Sequence, residues 1–306
     1  MASTSAAGAG IGLGSDGRPV IGIIGGSGVY DIPGLTDIGW RRISSPFGAP
    51  SDELMFGRLG DVQLVFLPRH GRGHVHAPSD LNYRANVDAM KRAGVTEILS
   101  VSAVGSLKED LPPGTFVIVD DFIDRTFARE KSFFTKGCVA HVSMAHPVCR
   151  RLGDAVEAAG QRLGLDIRRG GTYIAMEGPQ FSTLAESKLY RSWGASVIGM
   201  TNMPEAKLAR EAELCYATVA MVTDFDCWHP EHDKVTVEQV VKVLLGNADH
   251  ARALVKEVAP ALADRREPCH AGCHTALDHA LITAPEKRDP ELLARLDAVA
   301  GRVLGA

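Results

Sequence analysis

Short β-rich runs that alternate with helical stretches are the feature that most restricts how this chain can fold. Val20 to Ile24, Val62 to Leu67, Glu97 to Ser102, Phe116 to Val119, Thr172 to Ala175, Ser196 to Met200 and Tyr216 to Val222 are strand-sized and compact. Helical patterns with identifiable ends lie between them. Ser79 can cap a helix running to Gly94, while Thr183 with Glu186 and Thr236 with Gln239 fit capping boxes. Asp289 and Pro290 open a helix whose Leu292, Leu296, Val299 and Val303 share one face. This order predicts an α/β fold: a central mixed or parallel sheet covered by helices on both sides. A chain of 306 residues can bury such a core. Residues 1–18, rich in Ala, Gly and Ser, read as a disordered tail. Residues 19–262 read as the main domain and 263–306 as a C-terminal helical extension packing on it, reached through a charged stretch containing Pro268.

Composition narrows the function. A net charge of −4 gives no electrostatic case for nucleic acid or a membrane surface. The apolar runs are far short of a membrane span, and the N-terminus lacks a charged segment followed by a long apolar one, so the expected compartment is the cytoplasm. Cysteine is too sparse for a disulfide scaffold. Cys269 and Cys273, followed by His270 and His274, form the one local cluster; a metal site or a redox clip competes with two thiols in a surface connection. The surface reading is preferred, because no second Cys/His pair at zinc-like spacing follows.

The chemistry-bearing residues fall at strand ends, where ligands of open α/β sheets collect. The first strand enters Gly25, Gly26, Ser27 and Gly28, whose backbone N–H groups and serine hydroxyl can converge on an anion; the plain alternative is a tight turn. No Lys-Ser/Thr pair completes a Walker loop, and Asp31 occupies the third glycine position of a dinucleotide fingerprint, which weakens the reading as a non-catalytic nucleotide-binding module. The second strand ends in Arg69 and His70: a planar fork suited to phosphate oxygens, and an imidazole that when neutral can donate one hydrogen bond. The third ends in Ser102, Ala103 and Gly105, small enough for close approach of a ligand to the backbone. Phe181 can stack on a heteroaromatic ring, and Met200 with Thr201 can meet a ligand that is part apolar and part polar, with core packing as the competing fate. Asn82 and Asn86 share a helix face.

Asp224 and Asp226 are the most suggestive pair. Two residues apart on an extended chain, they point to one side, and mutual repulsion raises at least one pKa. A protonated carboxyl can supply a leaving group with a proton, and an ionised one can accept from an exocyclic amine. A divalent metal is the competing occupant, but no third ligand recurs at suitable spacing, so no metal is expected.

Taken as an ordered set, Ile-Ile-Gly-Gly-Ser-Gly at 23–28, Arg-His-Gly at 69–71, Asn-Tyr-Arg-Ala-Asn at 82–86, Glu-Gly-Pro-Gln-Phe-Ser-Thr at 177–183, Gly-Met-Thr at 199–201 and Thr-Asp-Phe-Asp-Cys-Trp at 223–228 resemble the methylthioadenosine phosphorylases, within the purine nucleoside phosphorylase family. The match spans about Val20 to Asn247. The resemblance implies a single-domain fold around a distorted mixed sheet and phosphorolysis of 5'-methylthioadenosine, with inorganic phosphate as co-substrate and no cofactor. A broader purine nucleoside or methylthioinosine specificity is the alternative. The resemblance assigns Ser27, Arg69, His70, Ser102, Ala103 and Thr201 to phosphate, Phe181 and Met200 to the base and ribose, and Asp224 and Asp226 to the purine, with Asp224 catalytic. Relatives acting on 6-oxopurines place Asn where Asp224 stands and Glu where Ser182 stands, which favours adenine. Val237, Val240 and Val241 suit a methylthio group. The family implies a homotrimer or a dimer of trimers in which a neighbouring subunit completes this pocket, and His141 is the candidate for that contact. Gln180 stands where many relatives carry Arg.

Overall fold

In the computed structural model the described residues are 18–26, 28–230, 237–263 and 269–305. Period-two alternation of apolar side chains builds the strands. In β1 (Ile21–Gly25), Ile21 and Ile23 face one core and Ile24 the other; within Val62–Pro68, Leu64 and Phe66 face the first core and Val65 and Leu67 the second. The remaining early elements are β2 (Thr36–Arg41), β3 (Leu54–Leu59), β4 (Val62–Pro68), α1 (Tyr83–Arg92), β5 (Glu97–Ser106), β6 (Phe116–Ile118) and β7 (Asp121–Asp124). Next come α2 (Arg150–Arg162), β8 (Ile167–Arg169), β9 (Thr172–Ala175), α3 (Leu184–Ser192), β10 (Val197–Gly199), α4 (Asn202–Glu211), β11 (Cys215–Asp224) and α5 (Val237–Ala263). Two short helices, α6 (Pro290–Arg295) and α7 (Asp297–Leu304), close the order.

The strands form one mixed sheet in the order β2-β3-β4-β1-β5-β10-β9-β7, with β11 beside β5 and β6, and β8 beside β6. One core packs α1, α4, α6 and α7 against the sheet through residues such as Met90, Leu208, Leu292 and Val299. The opposite core packs α2 and α5, where Leu254, Val258 and Leu262 repeat at helical spacing. Among the described residues no helix is long and apolar enough to cross a membrane.

The sheet forks at β5. β11 pairs along β5 from Glu97 to Gly105, so β1 and β10 must share the other edge: β1 holds Glu97 to Ser100 and β10 holds Gly105 and Ser106. Between them, among the described residues, Val101 to Val104 face no strand on that edge. The fork is filled by Arg69, whose Nη1 donates to the Val101 carbonyl at 2.9 Å and Nη2 to the Ile24 carbonyl at 3.2 Å and Ser100 Oγ at 2.6 Å. Its Nε donates to Glu205 Oε2 at 2.9 Å, and both side chains are 3% exposed, so the charge is neutralised in the interior. Ser100 and Tyr216 donate to Glu205 Oε1 at 2.6 and 2.9 Å, and Asn202 Nδ2 reaches Ser100, Tyr216 and Thr218.

Several expectations change. The α1 cap is Asn82, whose Oδ1 accepts from Ala85 N at 3.0 Å, because the Ser79 hydroxyl is committed to Glu177. Asn86 binds Ser51 through both amide atoms. The C-terminal stripe is broken at Leu296 into α6 and α7, and the Thr236 capping box lies outside the described residues. The Thr183 capping box is present. Cys269 and Cys273 are not surface thiols: they are 5% and 1% exposed and pack with the α2 and α5 core.

Removing one partner of a buried ion pair leaves the other charged and unpaired. Glu205→Ala should therefore destabilise the protein by about 3–5 kcal/mol in denaturant titrations, and adding Arg69→Met should recover part of that loss.

Candidate active site

The fork exposes the end of β5 to residues from three other strand ends. Ser102 Oγ lies 3.2 Å from Thr201 Oγ1 and 3.4 Å from the Tyr173 hydroxyl. Thr201 stands at the N-cap of α4 without using its hydroxyl as a cap, so that oxygen stays with the cluster. Gly199 must lack a side chain, since a Cβ there would lie 1.9 Å from the Tyr173 hydroxyl. Ala103 is half-buried beside Ser102 on the unpaired stretch of β5.

The surroundings of Arg69 and His70 determine what each can offer a ligand. The Arg69 fork does not face outward: its donors are engaged by Glu205, Ser100 and two carbonyls, which makes it the support of the site. His70 is half-buried, and desolvation together with nearby Arg69 pushes its pKa down to about 4. The neutral ring approaches the His76 carbonyl with Nδ1 at 2.9 Å. A carbonyl can only accept, so Nδ1 carries the proton and Nε2 is left as an acceptor. His70 can therefore offer an anion its backbone N–H, and Nε2 can accept from a hydroxyl.

Three positions along β5 from Ser102, beside Gly105, the carboxyl pair closes the other end. β11 stops at Asp224, and Asp226 takes a left-handed turn conformation with φ 51°. Extended alternation is thus not what joins the two carboxyls. The link is local: Asp226 N–H donates to Asp224 Oδ1 at 2.8 Å, while Thr223 Oγ1 donates to Asp224 Oδ2 at 2.7 Å. Gly105 makes room, because a Cβ there would sit 2.9 Å from Asp224 Oδ1. Burial raises the Asp224 pKa. Burial and the Asp224 charge push Asp226 up to about 6, and among the described residues its buried Oδ2 has no hydrogen-bond partner.

Phe181 is 44% exposed, and Met200 is half-buried with its sulfur where a Cβ on Gly178 would fall, at 2.5 Å. The residue that ties these loops is Arg129, which sequence reasoning did not single out. It is buried, and Nη1 donates to the Met200 and Met203 carbonyls at 2.5 and 2.7 Å, while Nη2 donates to the Glu177 carbonyl at 2.7 Å. Glu177 in turn accepts from Phe127 N at 2.6 Å. No local motif surrounds Arg129; only the tertiary fold reveals it.

Other expected residues are not brought into this cluster by any described contact. Val240 is half-buried and Val241 is 43% exposed, near the start of α5. The Val237 side chain and Ser27 lie outside the described residues. Next to Ser27, the Gly28 carbonyl accepts from Arg252 Nη1 at 2.5 Å, so α5 seats that turn. His141 is exposed, with its backbone N–H on the Ala280 carbonyl at 2.9 Å.

The sequence profile described as the phosphorylase superfamily matches residues 20–260. The chain belongs to the phosphorylase superfamily. It is 69% identical over 288 residues to the S-methyl-5'-thioadenosine phosphorylase of Rhodospirillum rubrum, covering 94% of this chain and 98% of that one. The enzyme of that name from Bradyrhizobium diazoefficiens is 64% identical over 94% of this chain and 99% of its own. A methylthioadenosine phosphorylase structure sourced from an antarctic soil metagenomic library superposes with a TM-score of 0.86 at 47% identity, covering 92% and 98% of the two chains. The Schistosoma mansoni methylthioadenosine phosphorylase in complex with adenine gives 0.77 at 39% identity, over 81% and 93%. These neighbours share the α/β architecture described above, a mixed sheet flanked by helices.

The carboxyl pair makes stability depend on pH. Asp226, raised when folded, contributes stability that is fully present below its unfolded pKa of about 4 and is lost as pH rises through about 6. Asp226→Asn should remove about 3 kcal/mol of that decline, read as a shallower fall of denaturation free energy between pH 4 and pH 7 than in the parent protein.

Proposed function

We infer that the chain is a pentosyltransferase, an S-methyl-5'-thioadenosine phosphorylase that converts its nucleoside and inorganic phosphate to adenine and 5-methylthioribose 1-phosphate. One observation carries the geometric side of this reading: a hydroxyl cluster at Ser102 and a buried carboxyl pair beside Gly105 gather on one strand, β5, three residues apart. At a strand rise of ~3.3 Å per residue they stand about 10 Å apart, a span that a ribose can bridge between a phosphate and a purine. The names of the relatives, at 69% and 64% identity over nearly the whole chain, support the same substrate.

The proposed roles follow the donors available. Phosphate is held by the Ser102 and Thr201 hydroxyls, the backbone N–H groups of Ala103 and His70, and Ser27 of the glycine turn, with Arg69 behind them. As the bond from C1' to N9 breaks, its electron pair passes into the purine and positive charge builds on the ribosyl ring. A phosphate oxygen forms the new bond to C1' from the opposite face, and Asp224 stabilises the purine by giving N7 a proton or a hydrogen bond. The unpartnered Oδ2 of Asp226 suits the adenine amino group as an acceptor. Phe181 and Met200 line the base and ribose, and Val237, Val240 and Val241 the methylthio group. Phosphate is itself the nucleophile, so the scheme calls for no metal or organic cofactor. A homotrimer or a dimer of trimers in the cytoplasm would let His141 of one copy complete the pocket of the next; its exposure supports this, as does the neighbouring apolar Ile282, 63% exposed.

A wider nucleoside range has one specific support, since a neighbouring Schistosoma mansoni structure is described as an adenosine/methylthioadenosine phosphorylase. The decisive assay is adenine release from methylthioadenosine and from adenosine, with and without phosphate. Release should require phosphate and favour methylthioadenosine; equal release without phosphate would mean a hydrolase. Asp224→Asn should lower turnover of adenine nucleosides by about 10²–10⁴-fold while inosine is affected less.

A further inference from the structure

Cys149, Cys215, Cys269 and Cys273 come from three separate parts of the chain, yet their sulfurs all lie within 4.8 Å of one another, and all four residues are buried. Cys149 stands at the N-cap of α2 without a side-chain capping bond, and Cys215 is the first residue of β11. Cys269 and Cys273 sit on one tight turn, closed by Gly272 N–H on the Cys269 carbonyl at 2.9 Å, with Gly272 at φ 66°. The separations are 3.5 Å from Cys149 to Cys269 and 3.6 Å from Cys269 to Cys273. Zinc–thiolate bonds of about 2.3 Å in a tetrahedron put the sulfurs about 3.8 Å apart. The spacing of Cys269 and Cys273 also falls within the range of zinc-binding turns.

A second observation concerns charge. Arg210 is 8% exposed; its Nη1 approaches Cys273 Sγ at 3.6 Å and its Nη2 donates to the His146 carbonyl. Among the described residues no carboxylate forms an ion pair with it. Neutral thiols compensate a buried guanidinium poorly, whereas four thiolates around a divalent ion carry two net negative charges. Arg151, bound to Glu97, lies beside Cys149 and Cys215 and adds a second cation, and His274 Nε2 is 3.9 Å from Cys215 Sγ.

We propose that these four cysteines form a structural metal site for zinc or a similarly soft divalent ion, joining the C-terminal segment to α2 and β11. Four sulfur ligands and complete burial leave no open position, so the ion takes no part in the reaction and acts by fixing the fold. Binding releases the thiol protons to solvent and involves no oxidation. The turn that preceded no second Cys/His pair in the sequence finds its partners at Cys149 and Cys215.

The test uses the full chain, purified without a metal-binding tag under reducing conditions. Elemental analysis should give about one zinc per chain, retained through gel filtration, and exchange with cobalt(II) should produce the intense bands of tetrahedral thiolate-bound cobalt. Cys269→Ser with Cys273→Ser should cut the zinc below about a tenth of an equivalent, whereas Cys138→Ser, outside the cluster, should leave it unchanged. If the double variant fails to fold, the cobalt spectrum of the parent protein decides. Absence of tetrahedral thiolate bands with added cobalt, zinc retained in the folded double variant, or a disulfide within the cluster in peptide maps of the native protein would each overturn the proposal.

Discussion

The fork in the sheet, and the Arg69–Glu205 pair that fills it, is the constraint on which the site depends. Where β1 leaves β5 and β10 has yet to join it, the Ile24 and Val101 carbonyls would be unpaired in a low-dielectric interior. A guanidinium satisfies both, but brings a charge that must be balanced there, and Glu205 supplies the balance. The carboxylate then needs its own donors, found in Ser100 and Tyr216. One forked strand thus draws β4, β5, α4 and β11 into a single network. Ser102 and Thr201 flank that network in sequence, just after Ser100 and just before Asn202, and their hydroxyls meet above it.

A consequence is that the hydroxyl end of the site, where phosphate is proposed to bind, is made mainly of neutral donors. Arg69 is compensated by Glu205, and His70 stays uncharged throughout the physiological range. Neutral donors held in place by buried bonds need little reorganisation when an anion arrives, which suits a nucleophile that must be bound and yet react. The opposite end has the complementary character. There burial raises the pKa of both carboxyls, and Asp226, pushed up to about 6, can hold or release a proton close to neutrality.

What could be read from the sequence follows from which interactions are local. β5 and β11 are buried along nearly their whole length because both faces are covered, and the apolar residues they carry make their runs plain in the sequence. β2 is largely exposed, and β7 and β8 have no more than four residues, so their side chains carry no such pattern. The Thr183 capping box is complete within a few residues and was legible, whereas the Ser79 hydroxyl was claimed by Glu177, nearly a hundred positions away. In the site, Asp224 stood out because it ends a strand, and Ser102 because small residues follow an apolar run, although β5 continues to Ser106. Arg129 and Glu205 did not, since their importance lies in carbonyls and side chains contributed by distant segments. Even the direction in which Arg69 points is decided by the fork, which no local motif encodes.

The same distinction bears on the C-terminal segment. Helices as short as α6 and α7 are unstable alone, so their order must come from attachments to the main body. Those attachments are spread along the segment: the cysteine cluster at its start, the Ala140–Leu281 bridge beyond it, then Arg92 with Asp297 and Arg302 with Glu213 near its end. The later ties involve partly exposed charges, which screening weakens. The cluster is buried, as is the apolar packing of Leu292, Leu296 and Val299, and it joins the segment to both a helix start and a strand start. The segment also carries the Ala280 carbonyl that accepts from the His141 backbone N–H, so the chain around His141 is seated on the same segment that begins at the cysteine turn.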